Sequence, residues 1–254
     1  MKDFYTSFYT RAEHSRAHHC FCESVFGKDL CQHGFADMHQ LELLVQVLQL
    51  SAGQKVLDLG CGTGMISEYL SDQTSAQVTG LDFISEAIDQ ARQRTASKAD
   101  RLKFITGDIN HLELETSYYD AILSVDSIYF SNDYAGTVRS LLTARKPGGQ
   151  LAFLYSYGRE PWVPVDQFQS ETIQPDKTPL AEALLVNNLD FRTWNLTQQD
   201  YGLAQRRKAV LMDLKPMFEE EENLFIYENR MGDAEGISQA IEAGLHARYL
   251  YLAY

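Results

Sequence analysis

The chain has 254 residues, of which 44% are hydrophobic and 22% charged, and 35 acidic against 22 basic residues give it a net charge of -13. This negative charge would repel a phosphate backbone over most of the surface, so the composition disfavours nucleic acid as a partner. No segment approaches the roughly 18 uninterrupted apolar residues of a membrane span, and residues 1–10 lack the basic and apolar regions of a secretory signal, which predicts a soluble, cytoplasmic protein without a membrane partner.

The N-terminal part of the chain is predicted to be helical. A first helix is expected over about residues 3–26, because Phe4 and Phe8 start an aromatic stripe at four-residue spacing and Gly27 is placed to end it. A second helix is expected over about residues 37–50, where leucines recur on one face. These helices precede the first strand.

Strands and helices then alternate. A helix over about residues 134–145 and the turn "KPGG" precede the fifth of these strands. The alternation predicts the α/β class, with a Rossmann-like, mostly parallel sheet, helices on both faces and right-handed crossovers. The apolar segments read as strands are "KVLDLG", "AQVTGLD", "LKFITGD", "YDAILSVDS" and "GQLAFLYSY".

The alternation lapses after residue 157. Residues 158–179 hold four of the six prolines and are interpreted as an ordered insertion. A sixth strand, "NLDFRTWNLT", is followed by helices over about residues 199–222 and 224–245, and "ARYLYLAY" is the last strand.

The segment "VLDLGCGTG", residues 56–64, joins the first strand to the next helix, at the edge where parallel sheets bind ligands. Gly60, Gly62 and Gly64 are each two positions apart, unlike the G-x-G-x-x-G of dinucleotide sites. Glycines at alternate positions would leave bare backbone for an uncharged part of a ligand. Asp58 would repel a pyrophosphate but stabilise an ammonium or sulfonium group.

Acidic residues also end the next two strands. Asp82 lies 22 positions after Gly60, where a carboxylate can accept hydrogen bonds from both hydroxyls of a ribose, and Phe83 can cover an adenine face. Asp108 can accept from an exocyclic amine beside the apolar Ile109. Either acid alone could instead be a helix cap or a turn residue.

These motifs resemble those of the class I S-adenosylmethionine-dependent methyltransferases, in family order and spacing over about residues 55–154. The resemblance implies a seven-stranded sheet whose last strand is antiparallel, and S-adenosylmethionine as cofactor with S-adenosylhomocysteine as product. The matching segments are "VLDLGCGTG", "VTGLDF", "FITGDI", "YDAILSVDSIYF" and "KPGGQLAFL".

By the same resemblance, Gly60 and Gly62 would contact the methionine part of the cofactor. Asp82 would bind the ribose, Asp108 the adenine, and the backbone of residues 124–126 the methionine ammonium end. The complete set expected at the cofactor is Asp58, Gly60, Cys61, Gly62, Gly64, Asp82, Phe83, Asp108, Ile109, Ser124 and Asp126.

The family has no universal catalytic residue, so the candidates come from position. Tyr129, after the fourth strand, is expected to line the pocket, and His33, in the predicted lid segment, is the favoured general base or substrate anchor. His33 could instead hydrogen-bond a turn. Arg159 and Arg230 could hold a substrate carboxylate, although surface placement is the simpler interpretation. An aromatic pocket for an amine could come from Tyr5, Tyr9, Tyr129, Tyr155, Tyr157 and Trp162.

We therefore predict a single methyltransferase domain over residues 1–254, with a lid (1–36), a cofactor-binding core (37–157) and a substrate-side part (158–254). The predicted activity is in-line methyl transfer to a nitrogen, oxygen or carbon of a small molecule. The alternatives are a protein methyltransferase, which would have an open groove, and a non-catalytic module that binds the cofactor. The missing G-x-G-x-x-G disfavours an oxidoreductase that uses NAD.

Three cysteines and a histidine lie close together in sequence, at Cys20, Cys22, Cys31 and His33. The single-residue spacers differ from those of structural zinc sites, and positions 20 and 22 point in different directions from one helix. We therefore predict reduced thiols and no metal site.

Overall fold

A computed structural model describes residues 2–159 and 162–254. Residues 160 and 161, inside the predicted insertion, lie outside the described residues. The strands are β1 (Lys55–Leu59), β2 (Gln77–Asp82), β3 (Leu102–Thr106), β4 (Tyr119–Val125), β5 (Arg145–Gly158), β6 (Phe191–Asn195) and β7 (His246–Ala253).

These strands form one seven-stranded sheet in the order β3-β2-β1-β4-β5-β7-β6. The pairs from β3 to β5 are parallel, and β7 is antiparallel to both of its neighbours. The predicted α/β fold is confirmed, including the antiparallel last strand.

The helices pack against the sheet and against one another. None of them, in the part of the chain described, is long and apolar enough to cross a membrane. They are α1 (Lys2–His14), α2 (Arg16–Phe26), α3 (Met38–Leu48), α4 (Met65–Thr74), α5 (Ser85–Arg94), α6 (Tyr134–Ala144), α7 (Pro179–Val186), α8 (Thr197–Glu220) and α9 (Leu224–Glu242).

The single N-terminal helix predicted from the sequence is wrong, because the segment forms two helices. Ser15 lies between α1 and α2 in an extended conformation, and its hydroxyl accepts a hydrogen bond from the His18 amide. A serine in this position caps a new helix instead of continuing the previous one. Gly27 ends α2 with φ at 84°, as predicted.

The sheet is buried on both faces by separate apolar clusters. Along β7, Leu250 and Leu252 pack into one cluster and Tyr249 and Tyr251 into the other, which follows from the two-residue period of a strand. A third cluster joins α1 and α2 to α8 and α9. The N-terminal helices are thereby held over one end of the sheet.

Two local predictions need correction. The turn "KPGG" is part of β5, whose pairing with β4 starts at Arg145 and shifts register before Gln150. The strand therefore begins directly after α6. The sequence interpretation also missed α7, which starts behind Thr178 with Pro179 in its first turn.

Candidate active site

A cavity of about 320 Å³ opens at the carboxyl ends of β1, β2 and β4, a size typical of small-molecule sites. Gly60, Asp82 and Asp126 bring these three strand ends to its wall. Tyr5 and Tyr9 of α1 also line it. The N-terminal segment therefore takes part in the site.

Most of the residues expected at the cofactor line this cavity. Those that do are Gly60, Cys61, Gly62, Asp82, Phe83, Asp108, Ile109 and Asp126. The other three, Asp58, Gly64 and Ser124, do not line it.

The glycine loop is shaped by contacts with protein side chains. At Gly62, with φ at 53°, a Cβ atom would lie 2.7 Å from the hydroxyl oxygen of Tyr9, and at Gly60 it would collide with Ser127. These glycines are therefore needed for the close approach of Tyr9 and Ser127 as well as for any ligand. Gly64 packs against Phe104, away from the cavity.

Asp82 ties the loops after β1 and β2 together. Its carboxylate accepts hydrogen bonds from the backbone amides of Gly62, at 2.8 Å, and Ile84, at 2.9 Å. Burial raises the pKa of Asp82, while these two amides oppose the shift. A carboxylate can accept about four hydrogen bonds, so capacity remains for a ligand in the cavity.

Asp58 lies beneath the glycine loop, where it is buried and accepts a hydrogen bond of 2.5 Å from the Ser67 hydroxyl. Burial raises the pKa of Asp58 to about 7. Its negative charge is therefore only partly formed at neutral pH, and a cation in the cavity would favour it.

Asp108 stands at the rim of the cavity. Its side chain is 51% exposed and accepts a hydrogen bond of 2.8 Å from the Asn110 amide, which lowers the pKa of Asp108. The Asn110 side chain in turn accepts from the Asn132 amide at 2.7 Å. The rim is thus held by side-chain bonds between two loops.

Asp126 lines the cavity, but its carboxylate is engaged by the protein. It accepts two hydrogen bonds from Arg248 of β7 and one, at 2.7 Å, from the Phe35 amide. Ser124 does not line the cavity, and its hydroxyl shares a hydrogen bond of 2.6 Å with that of Ser127, which does. Sequence reasoning missed Arg248, although an arginine inside the apolar "ARYLYLAY" was a signal for a buried ion pair.

Tyr129 does not line the cavity, contrary to the sequence prediction, and the neighbouring Phe130 does. The chain makes a short helical turn over Ile128–Phe130, which turns the two rings in different directions. Tyr129 packs against Tyr155, with ring centroids 6.3 Å apart.

His33 lines the cavity and stands among aromatic rings. Its ring centroid lies 5.0 Å from that of Tyr5 and 4.6 Å from that of Phe8. Burial, with the charge of Arg230 beside it, lowers the pKa of His33 well below its usual value, so the imidazole is neutral at pH 7. Its Nε2 atom is buried without a hydrogen-bond partner in the described structure.

The cysteines surround a different histidine. The sulfur of Cys22 lies 3.7 Å from His18 Nε2, and that of Cys31 lies 3.9 Å from His18 Nδ1, whereas Cys20 is exposed. These distances exceed the 2.0–2.3 Å or so of zinc bonds. Within residues 2–159 and 162–254, no group of three or more potential ligands is placed to hold a metal ion.

Comparison with protein families matches residues 50–205 to a family described as a methyltransferase domain. Among curated proteins, the chain is 34% identical to a methyltransferase of Streptomyces halstedii over 113 residues, which are 44% of this chain and 41% of that protein. It is 30% identical to phosphoethanolamine N-methyltransferase 1 of Triticum aestivum over 146 residues, 58% of this chain and 29% of that protein. The chain spans about half or less of the length of these relatives.

Solved structures share the fold. The chain superposes on phosphoethanolamine N-methyltransferase 2 of Haemonchus contortus, in complex with phosphomonomethylethanolamine and S-adenosylhomocysteine, with a TM-score of 0.70 and 18% identity, over 98% of this chain and 59% of that one. A putative sarcosine dimethylglycine methyltransferase of Galdieria sulphuraria gives a TM-score of 0.69 at 17% identity, over 85% and 82% of the two chains.

Proposed function

The chain belongs to the methyltransferase domain family, and we propose that it transfers a methyl group from S-adenosylmethionine to a small molecule. The observation that carries this proposal is the cavity at the carboxyl ends of β1, β2 and β4, where the glycine loop and the acid of β2 meet. S-adenosylmethionine as the cofactor follows from the family, as the motifs predicted.

The described residues that line the cavity suit a cationic cofactor, since they include neither lysine nor arginine and three aspartates, of which Asp126 alone is paired with an arginine. Asp82 keeps capacity to accept from ribose hydroxyls, and Phe83 and Ile109 offer apolar walls for an adenine. Asp108, at the rim, can accept from the adenine amine.

The methionine part of the cofactor is assigned to the loop after β1. Gly60 and Gly62 border the cavity there, and Asp126 is a further lining residue. The cofactor supplies an electrophilic methyl group, whose bond to sulfur breaks with its electron pair remaining on sulfur while the acceptor forms the new bond. The chain's own residues must orient the acceptor and exclude water.

We assign the role of general base to His33. A neutral imidazole with an unpartnered Nε2 atom at the cavity wall can accept a proton from a protonated acceptor. Residues 1–36 would act as a lid, because Tyr5 and Tyr9 cover the cavity. This cover favours a small acceptor over the side chain of a protein substrate.

A cytoplasmic location, with neither nucleic acid nor membrane as partner, is part of the proposal. The net charge of -13 supports the absence of a nucleic-acid partner. The further division into a core of residues 37–157 and a substrate-side part of residues 158–254 is proposed likewise.

Calorimetric titration with S-adenosylmethionine and S-adenosylhomocysteine tests the proposal. We expect micromolar-range binding of both, followed by release of S-adenosylhomocysteine when an acceptor is supplied. If neither compound binds, the proposed function is contradicted. Binding without turnover on amines, phenols and carboxylates would favour a non-catalytic module.

A further inference from the structure

A group of buried polar side chains lies beside the cavity, between the loop after α2 and helices α8 and α9. Each member carries a buried nitrogen or oxygen without a hydrogen-bond partner in the described structure. Buried polar groups in proteins are nearly always paired, so such a concentration indicates a place built for a polar ligand or for ordered water. We name it the α8–α9 cluster; it consists of Gln32, His33, Arg207, Asn229, Arg230 and Asp233.

Hydrogen bonds and charges hold this cluster together. Arg230 donates to the backbone carbonyl oxygens of Gln32 and His33. The Nη2 atom of Arg207 lies 3.5 Å from Oδ2 of Asp233. Because Gln32 and His33 also line the cofactor cavity, the cluster and the cavity share a wall.

The donors of the cluster suit a carboxylate. The Nε atom of Arg207 makes no hydrogen bond, and Nη2, on the same edge of the guanidinium group, contacts Asp233 Oδ2 at 3.5 Å. This is the edge that holds a carboxylate through two parallel hydrogen bonds, and a ligand carboxylate would share it with Asp233. Arg207 is 1% exposed, and its guanidinium carbon lies 4.7 Å from the ring centroid of Phe35, a cation–π contact that helps to hold the side chain in place. The unpartnered Nε atom of Arg230 adds a third donor.

The acceptors of the cluster suit an amine. His33 Nε2 and Gln32 Oε1 make no hydrogen bond, and Asp233 Oδ2 has only the 3.5 Å contact with Arg207 Nη2 among the described residues. The first two belong to the cavity wall, and the charge of Asp233 contributes to the raised pKa of Tyr5, another lining residue. A molecule with its carboxylate on Arg207 would therefore present its nitrogen on the cavity side.

The local charges agree with this orientation. Arg207 and Arg230 are two buried cations, and Asp233 is the carboxylate that approaches Arg207. The Asp126 carboxylate is paired with Arg248 instead. A ligand carboxylate on Arg207 would face both arginines, although Asp233 and the buried Asp200 already supply negative charge close to Arg207. The Asp233 side chain is 27% exposed, so solvent reaches the cluster.

Building on the proposed methyl transfer, we propose that the α8–α9 cluster binds the methyl acceptor and that this acceptor is a small amine carrying a carboxylate group. Arg207 holds the carboxylate, and His33 faces the nitrogen. An ammonium form gives one proton to His33 Nε2, and the electron pair thus freed on nitrogen forms the new nitrogen–carbon bond.

The test measures S-adenosylhomocysteine release from the whole protein with a paired panel: the common amino acids, β-alanine and γ-aminobutyrate, each beside its carboxamide. We expect methylation of at least one carboxylate member and little or none of its carboxamide. In Arg207→Gln the KM for that acceptor should rise about 10- to 100-fold, because a charge-assisted bidentate contact is lost. Arg207→Lys keeps the positive charge but cannot donate two parallel hydrogen bonds, so its KM should rise less than that of Arg207→Gln.

Lys215→Gln is the matched control, since it removes an exposed cation from the same helix and should leave the KM unchanged. Equal rates on carboxylates and carboxamides, or no methylated member while S-adenosylmethionine binds, would overturn the acceptor class but not the methyltransferase proposal. A lower melting temperature of Arg207→Gln with an unchanged KM would assign the cluster to structural water. Failure to bind S-adenosylmethionine would instead overturn the proposed function.

Discussion

Arg248 holds Asp126 through two hydrogen bonds, from Nη1 to Oδ1 at 2.6 Å and from Nη2 to Oδ2 at 3.0 Å. The pair joins the last strand to the end of β4, and the Phe35 amide adds the loop that precedes α3. Arg248→Met would leave the buried Asp126 charge without a cationic partner, which should lower the free energy of unfolding by about 3–5 kcal/mol. Urea denaturation measures this change.

The matched control for Arg248→Met is Arg192→Met, on the neighbouring strand β6, where the side chain is exposed and stacks on Trp194. It should change the free energy of unfolding by less than about 1 kcal/mol. Similar losses in the two variants would show that the Asp126–Arg248 pair does not organise the sheet edge.

Asp82→Ala should weaken S-adenosylmethionine binding by about 1–3 kcal/mol, because a buried acceptor for the ribose hydroxyls is lost. Calorimetric titration gives the affinity. Asp89→Ala removes a carboxylate whose side chain is 74% exposed on α5 and serves as the control. Unchanged affinity in Asp82→Ala would refute the ribose assignment.

Gly62→Ala should destabilise the protein through a clash with Tyr9. Part of the loss is backbone strain, about 1–2 kcal/mol for a left-handed alanine. Gly53→Ala isolates that part, since Gly53 has φ at 79° and open space around it. In a Tyr9→Phe background the nearest ring atom lies 3.2 Å from the added Cβ, so Gly62→Ala should cost less there, as measured by urea unfolding. If Gly62→Ala lowers the free energy of unfolding equally in the wild type and in Tyr9→Phe, a clash with the Tyr9 hydroxyl is excluded.

Local patterns made the core of the site predictable. The spacing of Gly60 and Gly62 and the acid at Asp82 are set within a few residues of their strands, so sequence alone brought them to one edge. Arg248 could not be assigned, because its partner Asp126 is 122 positions away and only the antiparallel last strand brings them together. Ser15 was missed because an aromatic stripe continues past it and hides the helix cap.

For the glycines of the loop, the sequence predicted a role in ligand binding but not the contacts with protein side chains. Bare backbone was expected to serve a ligand, whereas the structure shows Tyr9 and Ser127 already against Gly62 and Gly60. Side chains from residues distant in sequence decide such contacts. The same holds for Tyr129, whose direction depends on the turn that follows β4.

His33→Gln should lower turnover about 100-fold or more while S-adenosylmethionine affinity stays nearly unchanged, because a general base acts only in the transfer step. Because its pKa is lowered, His33 is neutral above the acid range, and kcat of the wild type should rise with pH to a plateau that starts below the usual histidine value of about 6.5. His39→Gln, on the exposed face of α3, is the control. Parallel losses of binding and turnover in His33→Gln would make the residue structural.

Asp58 should make the stability of the ligand-free protein depend on pH. Its pKa is about 7 in the folded protein, against about 3.9 in an unfolded chain, so the folded state binds the extra proton between these values. The contribution of Asp58 to the free energy of unfolding is therefore complete below about pH 4. It falls by up to about 4 kcal/mol as the pH rises through about 7. Asp58→Asn keeps an acceptor for Ser67 but does not titrate, so the wild type should become progressively less stable than this variant over that range. Urea unfolding between about pH 5 and pH 8 measures the difference, and curves that run parallel for both proteins would place the Asp58 pKa near its ordinary value.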